Sequence, residues 1–237
     1  MFPLPTTPEL RARRHTPAIT YALIAANVGA YVFQSGAMLE SEGRFVTQWG
    51  FVPERLTQDP AGASITVFSA MFLHGGLLHL LGNMWFLWLF GDKVEEALGR
   101  GWHLAFYLAS GVAAAAAQYA MGPHSLVPMI GASGAIAGVM GGYALRFPRS
   151  RIMVMTPLLF MIELPAWLVI GGWFVAQVVS GAAVLSRADT GGVAFFAHVG
   201  GLVAGVGMMM LARKPRRRVD LHVRGGLDQW RPPTPRW

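Results

Sequence analysis

Gly131-Ala132-Ser133-Gly134-Ala135-Ile136-Ala137-Gly138 opens an apolar stretch that continues to about Phe147, and Ala197-His198-Val199-Gly200-Gly201 opens another further along. Each stretch carries one strongly polar side chain a few positions in from its outer end. Whether that matters depends on the solvent, because a polar group inside hydrocarbon is costly and marks function by default. Hydrophobic residues make up 54% of the chain and charged ones 13%, against roughly 25% charged in a soluble domain. The sequence reads as an all-α polytopic membrane protein.

Apolar stretches able to cross ~30 Å of hydrocarbon at ~1.5 Å per residue lie at 18–35, 76–92, 102–122, 132–147, 165–185 and 193–212. A six-transmembrane-helix bundle is expected. Two further apolar stretches, Ser64–Leu73 and Ile152–Ile162, are too short to span and read as interfacial or re-entrant segments. Gly75-Gly76 interrupts the first, and Glu163 and Pro165 end the second. No small-residue cleavage site follows the basic, Pro-rich start, so the first helix is expected to stay in the protein. The expected organisation is a flexible cytoplasmic tail over 1–17, a membrane domain over 18–212 and a basic flexible cytoplasmic tail over 213–237.

With the N-terminus inside, sixteen of the nineteen Lys and Arg residues fall on the cytoplasmic side and only Arg44, Arg55 and Arg187 outside, which orients both termini to the cytoplasm. The formal charge of +7 and the run Arg213-Lys214-Pro215-Arg216-Arg217-Arg218 fit anionic lipid headgroups flanking the last span. No nucleic-acid partner is expected. Zero cysteines exclude disulfides and thiolate sites. Minimal extramembrane parts and basic residues that are nearly all Arg suit a bacterial inner membrane.

The polar residues inside the expected spans are Asn27, His79, Asn83, Gln118, Ser133, Gln177, Ser180 and His198. Ser133, His198 and His79 each sit a few residues in from the outer surface, on the order of 5–10 Å deep. Asn83 follows His79 by four residues, on the same helical face one turn deeper. The fourth stretch is short, roughly 22 Å from Ser133 to Phe147, which leaves room above it for water. If these side chains converge, a neutral His198 can take the Ser133 hydroxyl proton as the oxygen attacks a carbonyl carbon. His79, Asn83 and the Ser133 backbone N–H can then stabilise the oxyanion. No acid lies at this depth to complete a Ser-His-Asp triad.

Taken together, Phe72-Leu73-His74-Gly75-Gly76-Leu77-Leu78-His79-Leu80-Leu81-Gly82-Asn83, Gly91-Asp92-Lys93-Val94-Glu95, Gly131-Ala132-Ser133-Gly134 and Ala197-His198-Val199-Gly200-Gly201 with Gly205 resemble the rhomboid intramembrane serine proteases, in the family's order. The likeness extends to Pro165-Ala166-Trp167 and Gly172-Trp173-Phe174. It implies a six-helix rhomboid-like fold around a water-filled cavity open to the outside, with Ser133 as nucleophile and His198 as general base. His79, Asn83 and the Ser133 amide would form the oxyanion hole, with His74 structural. It also implies transmembrane protein substrates cut in or beside a membrane span, entry near Trp173 on the fifth helix, and neither metal nor organic cofactor. The chain departs from some members in lacking a Trp-Arg pair in the first outer loop, since Gly50 follows Trp49.

Other classes are weaker. A non-catalytic relative that binds membrane-protein clients typically lacks the serine or the histidine. A channel or transporter more often places acids within its spans. A zinc hydrolase could use His74, His79 and His198, but a spacing of five between the first two is awkward for one helical face, and no His-Glu-x-x-His occurs.

Overall fold

The computed structural model describes residues 3–5, 16–40, 44–155, 161–185 and 195–212. These form a short strand β1 (Pro3–Pro5), then α1 (Ala18–Glu40), α2 (Arg44–Trp49), α3 (Pro53–Gln58) and α4 (Pro60–Ser69) with a 3₁₀ turn (Ala70–Phe72). They continue with α5 (Leu77–Leu98), α6 (Arg100–Met121), α7 (Ser133–Arg146), the strands β2 (Arg151–Met155) and β3 (Met161–Pro165), α8 (Ala166–Leu185) and α9 (Phe195–Leu211).

Small residues decide which helices sit at the centre. α7 is buried without interruption from Gly134 to Tyr143, and it packs most extensively on α9 and α6. A Cβ on Gly201 would run into the Gly134 carbonyl, and one on Gly205 into the Gly138 carbonyl. The Gly134-x-x-x-Gly138 and Gly201-x-x-x-Gly205 repeats are thus the two halves of one backbone-to-backbone contact, the geometry that small-residue repeats allow between membrane helices. It holds Ser133, one residue before Gly134, and His198, three before Gly201, near the same end of the pair.

Several polar side chains are fully buried while large apolar ones are exposed. Asn27, His74, Glu95 and His103 are 0% exposed, while Val32, Leu78 and Trp102 are 67%, 86% and 75% exposed. Polar groups inside and an apolar coat outside are what a protein surrounded by lipid requires. By length and composition one helix, α6, passes as a complete span by itself among the described residues; α4 with its 3₁₀ turn and α5 would pass as a second if the pair, bent by 82°, counted as one. α8 over Ala166–Val179 and α9 are shorter apolar helices.

The connection between α1 and α5 is a built structure. α1 runs on to Glu40 rather than ending near residue 35, and α2, α3 and α4 fill most of the rest. Asp59 caps α4 by accepting the Gly62 N–H at 3.0 Å, with Pro60 at its first helical position. The stretch Ser64–Leu73, expected to lie at an interface, forms the second half of α4 and the 3₁₀ turn, and Ala63, Thr66, Ala70 and Met71 bury into the bundle. Phe51 and Met129 exchange backbone hydrogen bonds of 3.0 and 2.8 Å, and the Gly131 N–H donates to the Ala70 carbonyl at 2.8 Å. The segment leading to Ser133 is therefore tied to this layer. Gln34 of α1 clamps the other side of the site: its Nε2 donates to the His74 carbonyl at 2.6 Å, and the His74 N–H donates to its Oε1 at 3.0 Å.

At the inner end α5 continues past Asp92 to Leu98 because Glu95 turns inward. Its carboxylate accepts the Ile19 and Thr20 N–H groups at 3.1 and 2.8 Å and the Thr20 hydroxyl at 2.8 Å, satisfying the free donors at the start of α1.

Two expectations are refined here. Ile152–Ile162, expected as an interfacial or re-entrant segment of no stated secondary structure, has its described residues in an antiparallel pair, with Ile152 opposite Leu164 and Val154 opposite Ile162. The β-branched and Met-rich sequence suits strands, and the stretch is too short to have spanned. Pro3–Pro5, placed in a flexible tail, pairs antiparallel with β2, on the sheet edge where proline's missing N–H is tolerated. The all-α description therefore holds with one three-stranded sheet in the order β1-β2-β3 added. The tail over 213–237 lies outside the described residues.

Candidate active site

Ser133 is the first residue of α7, where no preceding turn supplies a carbonyl for its N–H. The turn before it needs Gly131, whose φ of +120° lies where side-chain-bearing residues are strained. A Cβ there would also stand 2.9 Å from the His79 ring. His198 projects from the first turn of α9, and its Nε2 lies 2.7 Å from Ser133 Oγ. The two side chains singled out in the sequence meet because their helices touch backbone to backbone.

Both line a cavity of about 480 Å³ that also takes in His79, Asn83, Trp173 and Gln177. Asn83 Nδ2 is buried and has no hydrogen-bond partner among the described residues. A buried donor left unpaired costs free energy unless something arrives to accept from it. His79 Nδ1 accepts from the Gly75 N–H at 3.4 Å, so a neutral ring carries its proton on Nε2, the nitrogen beside Gly131. His79, Asn83 and the start of α7 thus border the same cavity as Ser133 Oγ.

His74 stands behind this wall. Its ring meets His79 edge-on with centroids 5.2 Å apart, its Nδ1 is 3.3 Å from the Phe72 carbonyl, and its backbone is held by Gln34. Asn27 is spent locally, donating to the Leu23 carbonyl at 2.7 Å. The side chain of Ser180 lies outside the described residues. No group of three or more His, Asp or Glu is placed to hold a metal ion among the described residues.

The partner on the other side of His198 is one that sequence reasoning missed. His198 Nδ1 is 2.7 Å from Gln177 Oε1, and the Trp173 ring stacks at a tilt on the imidazole with centroids 5.4 Å apart. Trp173 and Gln177 are four residues apart on α8, on one face a turn apart. Gln177 is visible in the sequence as a polar residue in an apolar helix, but only the rotation of α8 shows which histidine it faces.

Among curated proteins, the chain is 29% identical over 200 residues to the mitochondrial Rhomboid protein 1 of Saccharomyces cerevisiae, covering 82% of this chain and 53% of that protein. It is 39% identical over 75 residues to the Rhomboid protease GluP of Bacillus subtilis, 32% of this chain and 14% of that one. To the human mitochondrial Presenilin-associated rhomboid-like protein it is 31% identical over 104 residues, 41% of this chain and 27% of that one. The chain spans about half the length of the yeast relative and less than a third of the other two. The family model described as Rhomboid domain matches residues 61–215, about two-thirds of the chain and the part that holds His79, Asn83, Ser133, Gln177 and His198. This chain belongs to the rhomboid family of integral membrane proteins.

Proposed function

We propose that the protein is an intramembrane serine endopeptidase that hydrolyses peptide bonds in or next to transmembrane segments of membrane proteins. The observation that carries the reading is the 2.7 Å contact of Ser133 Oγ with His198 Nε2 in a cavity that also offers unpaired donors. Ser133 Oγ attacks the carbonyl carbon while its proton passes to Nε2, and the oxyanion accepts from Asn83, His79 and the Ser133 N–H. As the C–N bond breaks, His198 returns that proton to the leaving amine. Water then enters, loses a proton to His198 and attacks the acyl carbon; the Oγ–C bond breaks and the serine regains its hydrogen. A peptide in a helix must unwind before attack, so nearby Gly or Pro in the substrate favours cleavage.

The relative from Bacillus subtilis is named a protease, which supports the same activity here. We also propose six spans, α1, α5, α6, α7, α8 and α9, with both termini cytoplasmic, from the distribution of Lys and Arg. Relatives named as mitochondrial stand beside a bacterial one, so the comparisons do not favour a bacterial inner membrane over a mitochondrial one.

The test is labelling of the full chain, in mild detergent or nanodiscs, by a fluorophosphonate probe. Wild type should label, and Ser133→Ala and His198→Ala should not. Wild type that is folded yet unlabelled in both media would end the protease reading in favour of client binding.

A further inference from the structure

We infer that Gln177 is a positioning residue that sets the protonation pattern of His198, and that α8 thereby supplies the part an acid plays in a Ser-His-Asp arrangement. The inference rests on the protease reading above. The Gln177 amide oxygen can only accept, so at 2.7 Å from Nδ1 it fixes the imidazole proton on Nδ1. Nε2 is left with its lone pair toward Ser133 Oγ, at 2.7 Å, the form a general base needs. The opposite tautomer would present an N–H to the serine oxygen and could take no proton.

The amide differs from a carboxylate in a specific way. A carboxylate would orient the ring and also stabilise the imidazolium that forms in the transition state, whereas a neutral amide mainly orients. Orientation is reinforced by Trp173, stacked on the same ring one helical turn away. The base is thus completed by a helix other than the two whose glycines bring serine and histidine together. α8 packs on the bundle far less extensively than α9 does, and Val175, Val178 and Val179 beside Gln177 are exposed to lipid. Displacing α8 would free His198 to adopt either tautomer while leaving Ser133 in place.

The fluorophosphonate probe tests this without a known substrate. In the labelling step the Oγ–P bond forms, the P–F bond breaks with loss of fluoride, and the hydroxyl proton passes to Nε2. The maximal labelling rate and the probe's half-saturating concentration are measured from pH 5 to 9 for wild type, Gln177→Leu, Gln177→Glu and Ser133→Ala. In the cavity His79 on α5 is the one titratable group besides His198 among the lining residues; it is unchanged in all four proteins.

Gln177→Leu should lower the maximal rate about three- to tenfold, the worth of one net hydrogen bond, with half-saturation unchanged. Gln177→Glu should recover most of that loss and move the acid limb of the profile upward by about one pH unit, because a carboxylate favours imidazolium. Gln177→Leu at the wild-type rate, or an unmoved acid limb in Gln177→Glu, would overturn the inference while leaving the protease reading intact if wild type labels and Ser133→Ala does not. Unlabelled wild type would overturn both. A thermal unfolding midpoint for each variant separates loss of fold from loss of rate.

Discussion

Two histidines in this bundle touch a side-chain hydroxyl, one toward each end of α5, and they are wired in opposite senses. At the Ser133 site Gln177 Oε1 accepts a hydrogen bond from the His198 Nδ1–H, so the Ser133 hydroxyl donates to Nε2. At the Thr20 site the hydroxyl donates its hydrogen bond to Glu95 Oε2 at 2.8 Å, so His103 Nε2, 3.2 Å from the same oxygen, can only donate to it. The Thr20 cluster has the chemical composition of a triad, hydroxyl, imidazole and carboxylate, yet its hydroxyl is paired with the acid instead of the base. Thr20, Glu95 and His103 are all fully buried, whereas Ser133 opens onto a cavity. Composition alone does not make a nucleophile; the direction of the hydrogen bonds and a route for water do.

The largest break in this comparison should come from Ser133→Ala, which removes the proposed nucleophile and is expected to lower turnover of a transmembrane substrate by about 10⁴-fold or more. Thr20→Val should leave the labelling rate of folded protein unchanged, so a comparable loss from Thr20→Val would sink the assignment of the two sites. Asn83→Ala, at the Ser133 site, is expected to cost about 10²–10³ in kcat, with the loss in kcat and not in KM. A change confined to KM would mean that Asn83 binds substrate and does not hold the oxyanion.

Glu95→Ala sharpens the comparison from the other side. It leaves two backbone donors and a hydroxyl without their acceptor and should reduce stability by about 3 kcal/mol, read as a lower thermal unfolding midpoint, while probe labelling of the surviving folded protein keeps its wild-type rate. The smallest effect is expected at the surface, where His124 Nδ1 lies 2.8 Å from Glu54 Oε2. The hydrogen bond from His124, then that from Gln58, holds the Glu54 carboxyl below its ordinary value. A depressed carboxyl contributes stability above the normal carboxylate range and loses it as pH falls through and below that range. His124→Gln should therefore lower the unfolding midpoint slightly at neutral pH and slightly flatten its fall on acidification, the two proteins converging at low pH; a large neutral-pH loss would show this layer to be held by the pair.

What could be read from the chain alone was whatever depends on position along a helix. Depth put Ser133 and His198 at one level, spacing put His79 and Asn83 on one face, and small residues every four positions marked surfaces that can approach closely. What needs rotation or distant pairing was hidden. Gln177 was visible as a polar residue in an apolar stretch, but which neighbour it meets depends on how α8 turns. Glu95 lies just past the apolar stretch 76–92, where solvent is the ordinary partner of an acid; its actual partner is the start of α1. The β2–β3 pair resisted reading because an apolar stretch of that length suits several structures, and because its third strand comes from the opposite end of the chain.

The Glu95 clasp also bears on the order in which the molecule is assembled. It joins residues 75 positions apart, and closing a loop of that length costs about 4 kcal/mol in chain entropy. No such contact can nucleate folding, since the entropy is lost before three hydrogen bonds repay it. During synthesis the start of α1 must wait, with water as its partner, until α5 has emerged and lies alongside. The start of α1 is consequently locked only once α5 is in place.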